Sequence, residues 1–205
     1  LGMEPWAQRA IDAAKNDKLV SVKASDGKEA IKNTDPDEIK EHGAEDPHAW
    51  LSLKNAKIEV KNIKDALVKV DPANKDYYEK NYNDYVAKLD AMIQKYEGQF
   101  AKAPHKNFVT GHAAFAYLCS DFGIEQNSVE DVFAEGEPNA AQLVKLIEYC
   151  KENKITTIFA EEMASPEVSK TLAQEVGAKV ETIYTIESKE DYKTYLERMD
   201  SNLTK

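Results

Sequence analysis

The sequence predicts an α/β protein of two lobes joined by one long rigid helix. Three observations carry this. After Pro104, short strand-like runs alternate with amphipathic helical segments, which is the pattern of a parallel sheet with helical crossovers. From Ala73 to Lys102 there is no proline, and Tyr78, Tyr82, Tyr85, Val86, Leu89, Met92, Ile93 and Tyr96 recur at helical spacing. At 1.5 Å per residue that stretch is a rod of roughly 40 Å, too long for an ordinary globular helix and without heptads, but suited to joining two lobes. Residues 1–72 then belong to the first lobe, 73–102 to the linking helix and 103–205 to the second lobe.

In chain order, Pro5 suits the first turn of a helix whose apolar face is Trp6, Ala7, Ala10, Ile11 and Ala14. Leu19-Val20-Ser21-Val22 reads as a short strand. Residues 23–45 are polar, with turn signals at Ser25-Asp26-Gly27 and Thr34-Asp35-Pro36-Asp37, and form a surface excursion ending at Asp46-Pro47-His48. Pro47 fixes φ and pushes Asp46 towards an extended conformation, so His48 is presented from a rigid turn, with Trp50, Leu51 and Leu53 as apolar anchors after it. A helix from about Leu53 to Val70 is broken by Asp71-Pro72, and the long helix follows.

In the second lobe the predicted strands are 107–110, 124–129, 155–160 and 179–184. The predicted helices are 112–122, 138–153, 165–176 (stopped by Gly177) and the segment from Lys189 onward. Ligands of open α/β sheets bind at the C-terminal ends of the strands. His112, Glu161 and Glu187 all follow strand ends and should border one crevice.

The 205 residues carry 37 acidic and 27 basic side chains, a net charge of −10. That balance argues against nucleic acid or an anionic membrane as the main partner and is compatible with collecting a cation. No apolar run is long enough to span a bilayer. The chain starts at Leu1-Gly2-Met3 and runs at once into a helix, so a mature or trimmed product is expected. Cys119 and Cys150 lie in apolar helical patterns without a partner at metal-ligand spacing. They read as buried thiols, with a disulfide between two helices as the alternative.

Two of the four histidines, His48 and His112, sit at changes of structural element. Imidazole and carboxylate suit zinc or manganese, and a closed site needs about four donors. A helix starting at His112 would disfavour its imidazolium form and keep the ring able to coordinate. A lone histidine is more often structural, and His42 reads as solvated. There is no HExxH, CxxC, EF-hand, GxSxG, P-loop or GxGxxG pattern, so hydrolase, kinase and dehydrogenase readings lack support.

Six segments, in order, resemble the metal-binding solute-binding lipoproteins of bacterial ABC importers, the zinc and manganese class (ZnuA/TroA-like). They are Gly2-Met3-Glu4-Pro5-Trp6, Asp46-Pro47-His48-Ala49-Trp50-Leu51, Val109-Thr110-Gly111-His112-Ala113-Ala114-Phe115, Glu135-Gly136-Glu137-Pro138, Phe159-Ala160-Glu161-Glu162 and Ile186-Glu187-Ser188. The resemblance implies a two-lobed solute-binding protein with metal between the lobes. It implies a ligand set of His48, His112 and Glu187, with zinc as the cargo and manganese as the alternative. Glu161 and Glu162 are then supporting residues, Glu161 being an alternative ligand. The implied partner is an ABC permease. The implied location is extracytoplasmic, in the periplasm or at the cell surface, with a lipid anchor outside this chain. The expected role is binding and delivery, not catalysis; a zinc hydrolase and an adhesin are the competing readings. The family supplies a further histidine upstream of the Gly2-Met3-Glu4-Pro5-Trp6 motif. The resemblance therefore implies an incomplete first lobe, a fourth position filled by water, Glu161 or a neighbouring chain, and a tendency to dimerise.

Overall fold

A computed structural model of the chain describes residues 4, 6–33, 39, 44–129, 140–161, 167–188 and 191–205. It divides into two compact units, Leu1–Gln94 and Lys95–Lys205.

In the first unit, α1 (Ala7–Ala14) ends on Lys15 in the left-handed conformation. Residues Leu19–Val22 are not a strand: they pair with no other strand among the described residues, and Leu19, Val20 and Val22 are all exposed. Their β-branched composition is real, but a strand exists only where a neighbour takes up its ladder of N–H and C=O groups. The ends of the polar excursion, by contrast, are tied. An antiparallel bridge joins Lys32 to Glu45, the Asn33 amide donates to the Ala44 carbonyl, and the Asp46 amide donates to the Ile31 carbonyl at 2.9 Å. The chain therefore enters the Asp46-Pro47-His48 turn from an anchored start.

A 3-10 turn at Ala49–Leu51 leads into α2 (Leu53–Val70), whose N-cap Ser52 accepts the Asn55 amide through its hydroxyl. Ala49, Leu51, Leu53, Ala56 and Leu89 are buried and hold this segment down. Asp71 ends α2, a 3-10 turn at Pro72–Asn74 follows, and α3 runs from Lys75 to Phe100. Its 26 residues form one unbroken α-helix, a rod of about 39 Å. None of the helices among the described residues is long and apolar enough to cross a membrane.

The second unit is built on a four-stranded, all-parallel sheet: β1 (Asn107–Thr110), β2 (Glu125–Ser128), β3 (Thr157–Glu161) and β4 (Lys179–Ile183), in the order β2-β1-β3-β4. The described helices are α4 (Ala116–Phe122), α5 (Ala140–Glu152), α6 (Glu167–Val176) and α7 (Tyr195–Thr204). Val109 and Ile158 pack with Leu146, Cys150, Leu172 and Ala173. Phe108 and Phe159, which alternate to the other face, pack at a tilt with ring centroids 5.0 Å apart, and Phe108 meets Phe115 edge-on. Cys119 and Cys150 are free and buried. Burial pushes the Cys119 thiol far up and that of Cys150 to about 11, so both stay protonated and inert.

Two helices begin later than the sequence predicts. The helix expected from His112 starts at Ala116, because residues 111–115 are captured by side chains of the sheet. The helix expected from Lys189 starts at Tyr195, where Thr194 and Glu197 form a reciprocal capping box.

Replacing the fully buried Leu172 by alanine leaves a cavity between α6 and the sheet. It should cost about 2–5 kcal/mol in equilibrium denaturant unfolding.

Candidate metal centre

His48 follows Asp46 at the spacing of an Asx turn, in which an aspartate side chain caps the backbone two residues on. The Asp46 carboxylate takes both bonds: the His48 amide and His48 Nδ1 each donate to Oδ1 at 2.8 Å. His48 and Asp46 are 1% and 2% exposed, so water does not compete for the pair. Because a carboxylate only accepts, Nδ1 is the donor in this bond, which leaves Nε2 of the neutral ring as the nitrogen able to coordinate a metal. Trp50 packs at a tilt against the imidazole, 5.3 Å between centroids, and fixes the ring plane. Asp46 thus orients His48, and the Asp-Pro-His spacing is its only signal in the sequence.

His112 lies beyond the C-terminal end of β1, in the loop before α4, and not on a helix. The helix-dipole argument for its neutral ring therefore does not apply; its surroundings are set by neighbouring side chains. The His112 amide donates to Glu161 Oε1 at 3.0 Å, and its carbonyl accepts from Thr110 Oγ1 and Gln126 Nε2. Gln126 turns its Oε1 to the Phe115 amide, and its Nε2 also donates to Thr110 Oγ1. The loop is tied to the sheet at Gly111 too, whose amide donates to Phe159 O and whose carbonyl accepts from Val129 N. Gln126 and Thr110 lie in strand patterns, and nothing in a strand pattern marks a side chain that holds a loop.

Glu161 is buried, 6% exposed, at the end of β3. Its carboxylate crosses directly over Gly111: a Cβ at that position would lie 2.2 Å from Glu161 Oε2. Glycine is required there by close approach. Glu161 Oε1 is also 3.6 Å from His112 Nδ1, beyond a hydrogen bond. The other ring nitrogen, Nε2, faces Glu187 Oε1 at 3.9 Å.

Glu187 reaches that place through an unusual backbone. Ile186 has φ +59°, a left-handed conformation that a β-branched residue adopts only when its surroundings enforce it. His112 and Glu187 thus meet at the C-terminal edge of the sheet. Two donors 2.1 Å from one tetrahedral zinc stand about 3.4 Å apart, so a shift of about half an ångström brings this pair to bonding geometry. Glu161, bonded to the His112 amide, supports the loop. His42 and Glu162 lie outside the described residues.

The whole chain, residues 1–205, matches the family described as "ZnuA: Zinc-uptake complex component A periplasmic". It is 40% identical over 213 residues to the high-affinity zinc uptake system protein ZnuA of Bacillus subtilis, covering 98% of this chain and 67% of that protein. Among solved structures it is similar to a zinc-bound variant of AdcAII from Streptococcus pneumoniae, with a TM-score of 0.87 and 32% identity over 99% of this chain and 75% of that one. It is also similar to the laminin-binding protein Lmb of Streptococcus agalactiae, described as bifunctional with adhesin and metal transporting activity, with a TM-score of 0.86 and 32% identity over 99% of this chain and 75% of that one.

Gly111→Ala should drive the Glu161 carboxylate off the His112 amide and lower zinc affinity by about tenfold or more in a calorimetric titration. Gly98→Ala, in open space within α3, should leave zinc binding unchanged while raising stability by about 0.5–1 kcal/mol.

Proposed function

Because the chain belongs to the ZnuA family of periplasmic zinc-uptake components, we propose that it is an extracytoplasmic zinc-binding protein that delivers its ion to an ABC-type permease. His48, His112 and Glu187 are the proposed ligands. The observation that carries this reading is the approach of His112 Nε2 to Glu187 Oε1 at 3.9 Å, with the opposite ring nitrogen facing Glu161. The Asp46–His48 pair supports it from the first unit, since a histidine bonded to a carboxylate through Nδ1 is the common state of a metal-ligating imidazole.

The chemistry of this donor set suits a cargo. Two neutral imidazoles and one carboxylate bind zinc well without the thiolates of structural zinc sites. Both cysteines are buried and protonated in the second unit, so no thiolate competes for the ion. Three donors leave a coordination position for water or another group. The same donors accept manganese, but two imidazoles in the set favour zinc.

An open position on zinc is also what a hydrolase uses, with a nearby carboxylate as base. Glu161 is the described carboxylate that could serve, but its Oε1 accepts the His112 amide and its Oε2 is packed over Gly111. That commitment supports binding without turnover. Adhesion is a second reading, favoured by the likeness to Lmb. It predicts saturable binding to immobilised laminin that survives loss of the zinc ligands.

His48→Ala, His112→Ala and Glu187→Gln should each weaken zinc binding by at least about tenfold, whereas His42→Ala and His105→Ala should leave it unchanged. Metal analysis of the purified protein, before and after chelation, together with titration of the five variants checks this. Equal effects at all five positions would mean surface chelation and defeat the assignment.

A further inference from the structure

α7 grips the segment that carries Glu187 at two points. On one side, Asn202 takes both backbone groups of Tyr184: the Tyr184 amide donates to Asn202 Oδ1 at 2.9 Å, and Asn202 Nδ2 donates to the Tyr184 carbonyl at 2.7 Å. On the other side, Arg198 Nη1 donates to the Ser188 carbonyl at 2.6 Å, while Nε and Nη2 both donate to Asp191 Oδ1. Arg198 and Asn202 lie one turn apart on the helix and are 3% and 7% exposed. Between the two grips, Ile186 holds its left-handed φ and Glu187 is turned towards His112.

A buried arginine that spends its fork on one carbonyl and one carboxylate is a demanding element to keep. A β-branched residue at positive φ is strained and persists only where the surroundings impose it. Each feature explains the other. The grips at Tyr184 and at Ser188 and Asp191 fix both ends of a short arc, and within it Ile186, next to Glu187, takes the left-handed conformation.

We propose that Arg198 and Asn202 are positioning residues for zinc binding: they set the backbone arc that aims the Glu187 carboxylate, and so preform that arm before the ion arrives. This rests on the reading of Glu187 as a zinc ligand. Arg198 acts through the Ser188 carbonyl, next in the chain to Glu187. A preformed arm meets its ordering cost during folding instead of on binding, and this is where affinity is gained.

The test is a double-mutant cycle read by zinc titration on Arg198→Lys, Glu187→Gln and the double variant. Lysine keeps the charge but cannot reproduce the fork. Arg198→Lys should lower zinc affinity about tenfold in the wild-type background. In the Glu187→Gln background it should add less than about twofold, because the carboxylate it aims is gone. The visible spectrum of the cobalt-loaded Arg198→Lys variant should shift towards that of Glu187→Gln. An unchanged affinity, or an equal loss in both backgrounds, overturns the proposal and leaves the ligand assignment standing. An unchanged affinity in Glu187→Gln alone instead sinks the assignment beneath it. If Arg198→Lys lacks a cooperative thermal transition, Asp191→Asn probes the same fork from its more exposed side. It should lower affinity at least about threefold, again only when Glu187 is present.

Discussion

The second unit's site depends on one buried carboxylate. Glu161 stands at the end of β3 with almost no solvent, and a charge in that position is tolerable only if its oxygens are met by donors. The His112 amide is such a donor, and it can come close because Gly111 offers no Cβ to block the approach. The electrostatic need of one side chain therefore dictates the course of the neighbouring β1–α4 loop. That loop in turn delivers the imidazole with Nδ1 facing Glu161 and Nε2 facing outward along the strand ends.

The two candidate histidines are oriented by the same physics from different local structures. Asp46 takes His48 through an Asx turn stiffened by Pro47, using residues two apart in sequence. Glu161 takes His112 across parallel strands, using residues 49 apart. In both cases a buried carboxylate accepts the histidine's own backbone N–H, and so fixes the chain before it influences the ring. The parallel sheet makes the second arrangement available, because adjacent parallel strands end at the same edge and place β1, β3 and β4 loops side by side.

Much of this was legible in the sequence, and the reasons for the misses are physical. The bounds of α2, the unbroken α3 and the four-stranded parallel sheet follow from local periodicity and from the proline and glycine stops. The gathering of His112, Glu161 and Glu187 follows from the strand-end rule. The strand expected at Leu19–Val22 failed because pairing is a property of two segments, and local composition reports only one. The helix start expected at His112 failed for a related reason: Thr110 and Gln126 outcompete helical hydrogen bonding at the His112 carbonyl and the Phe115 amide. The start of α7 is different. Thr194-Tyr195-Leu196-Glu197 carries a capping-box signature that reads directly from sequence, and a helix start placed at Lys189 overlooks it. Asp46, Gln126, Arg198 and Asn202 escaped because a polar residue that holds a backbone leaves no periodic trace.

The proposed ligands gain meaning from what holds them. His48, His112 and Glu187 are each tied within their own unit by polar side chains that make no use of a metal: Asp46 in the first case, Glu161 with Gln126 and Thr110 in the second, Arg198 and Asn202 in the third. A donor arranged this way does not have to be ordered by the ion, so more of the bonding energy remains as affinity. The identity of the donors limits that affinity from the other side, because nitrogen and oxygen ligands hold zinc without the thiolates that make structural sites permanent. Stiff arms and moderately hard donors together favour capture at low concentration while keeping the ion exchangeable. For a carrier, both halves of that combination are necessary. Loosening an arm would sacrifice capture, and replacing a donor by a thiolate would sacrifice release.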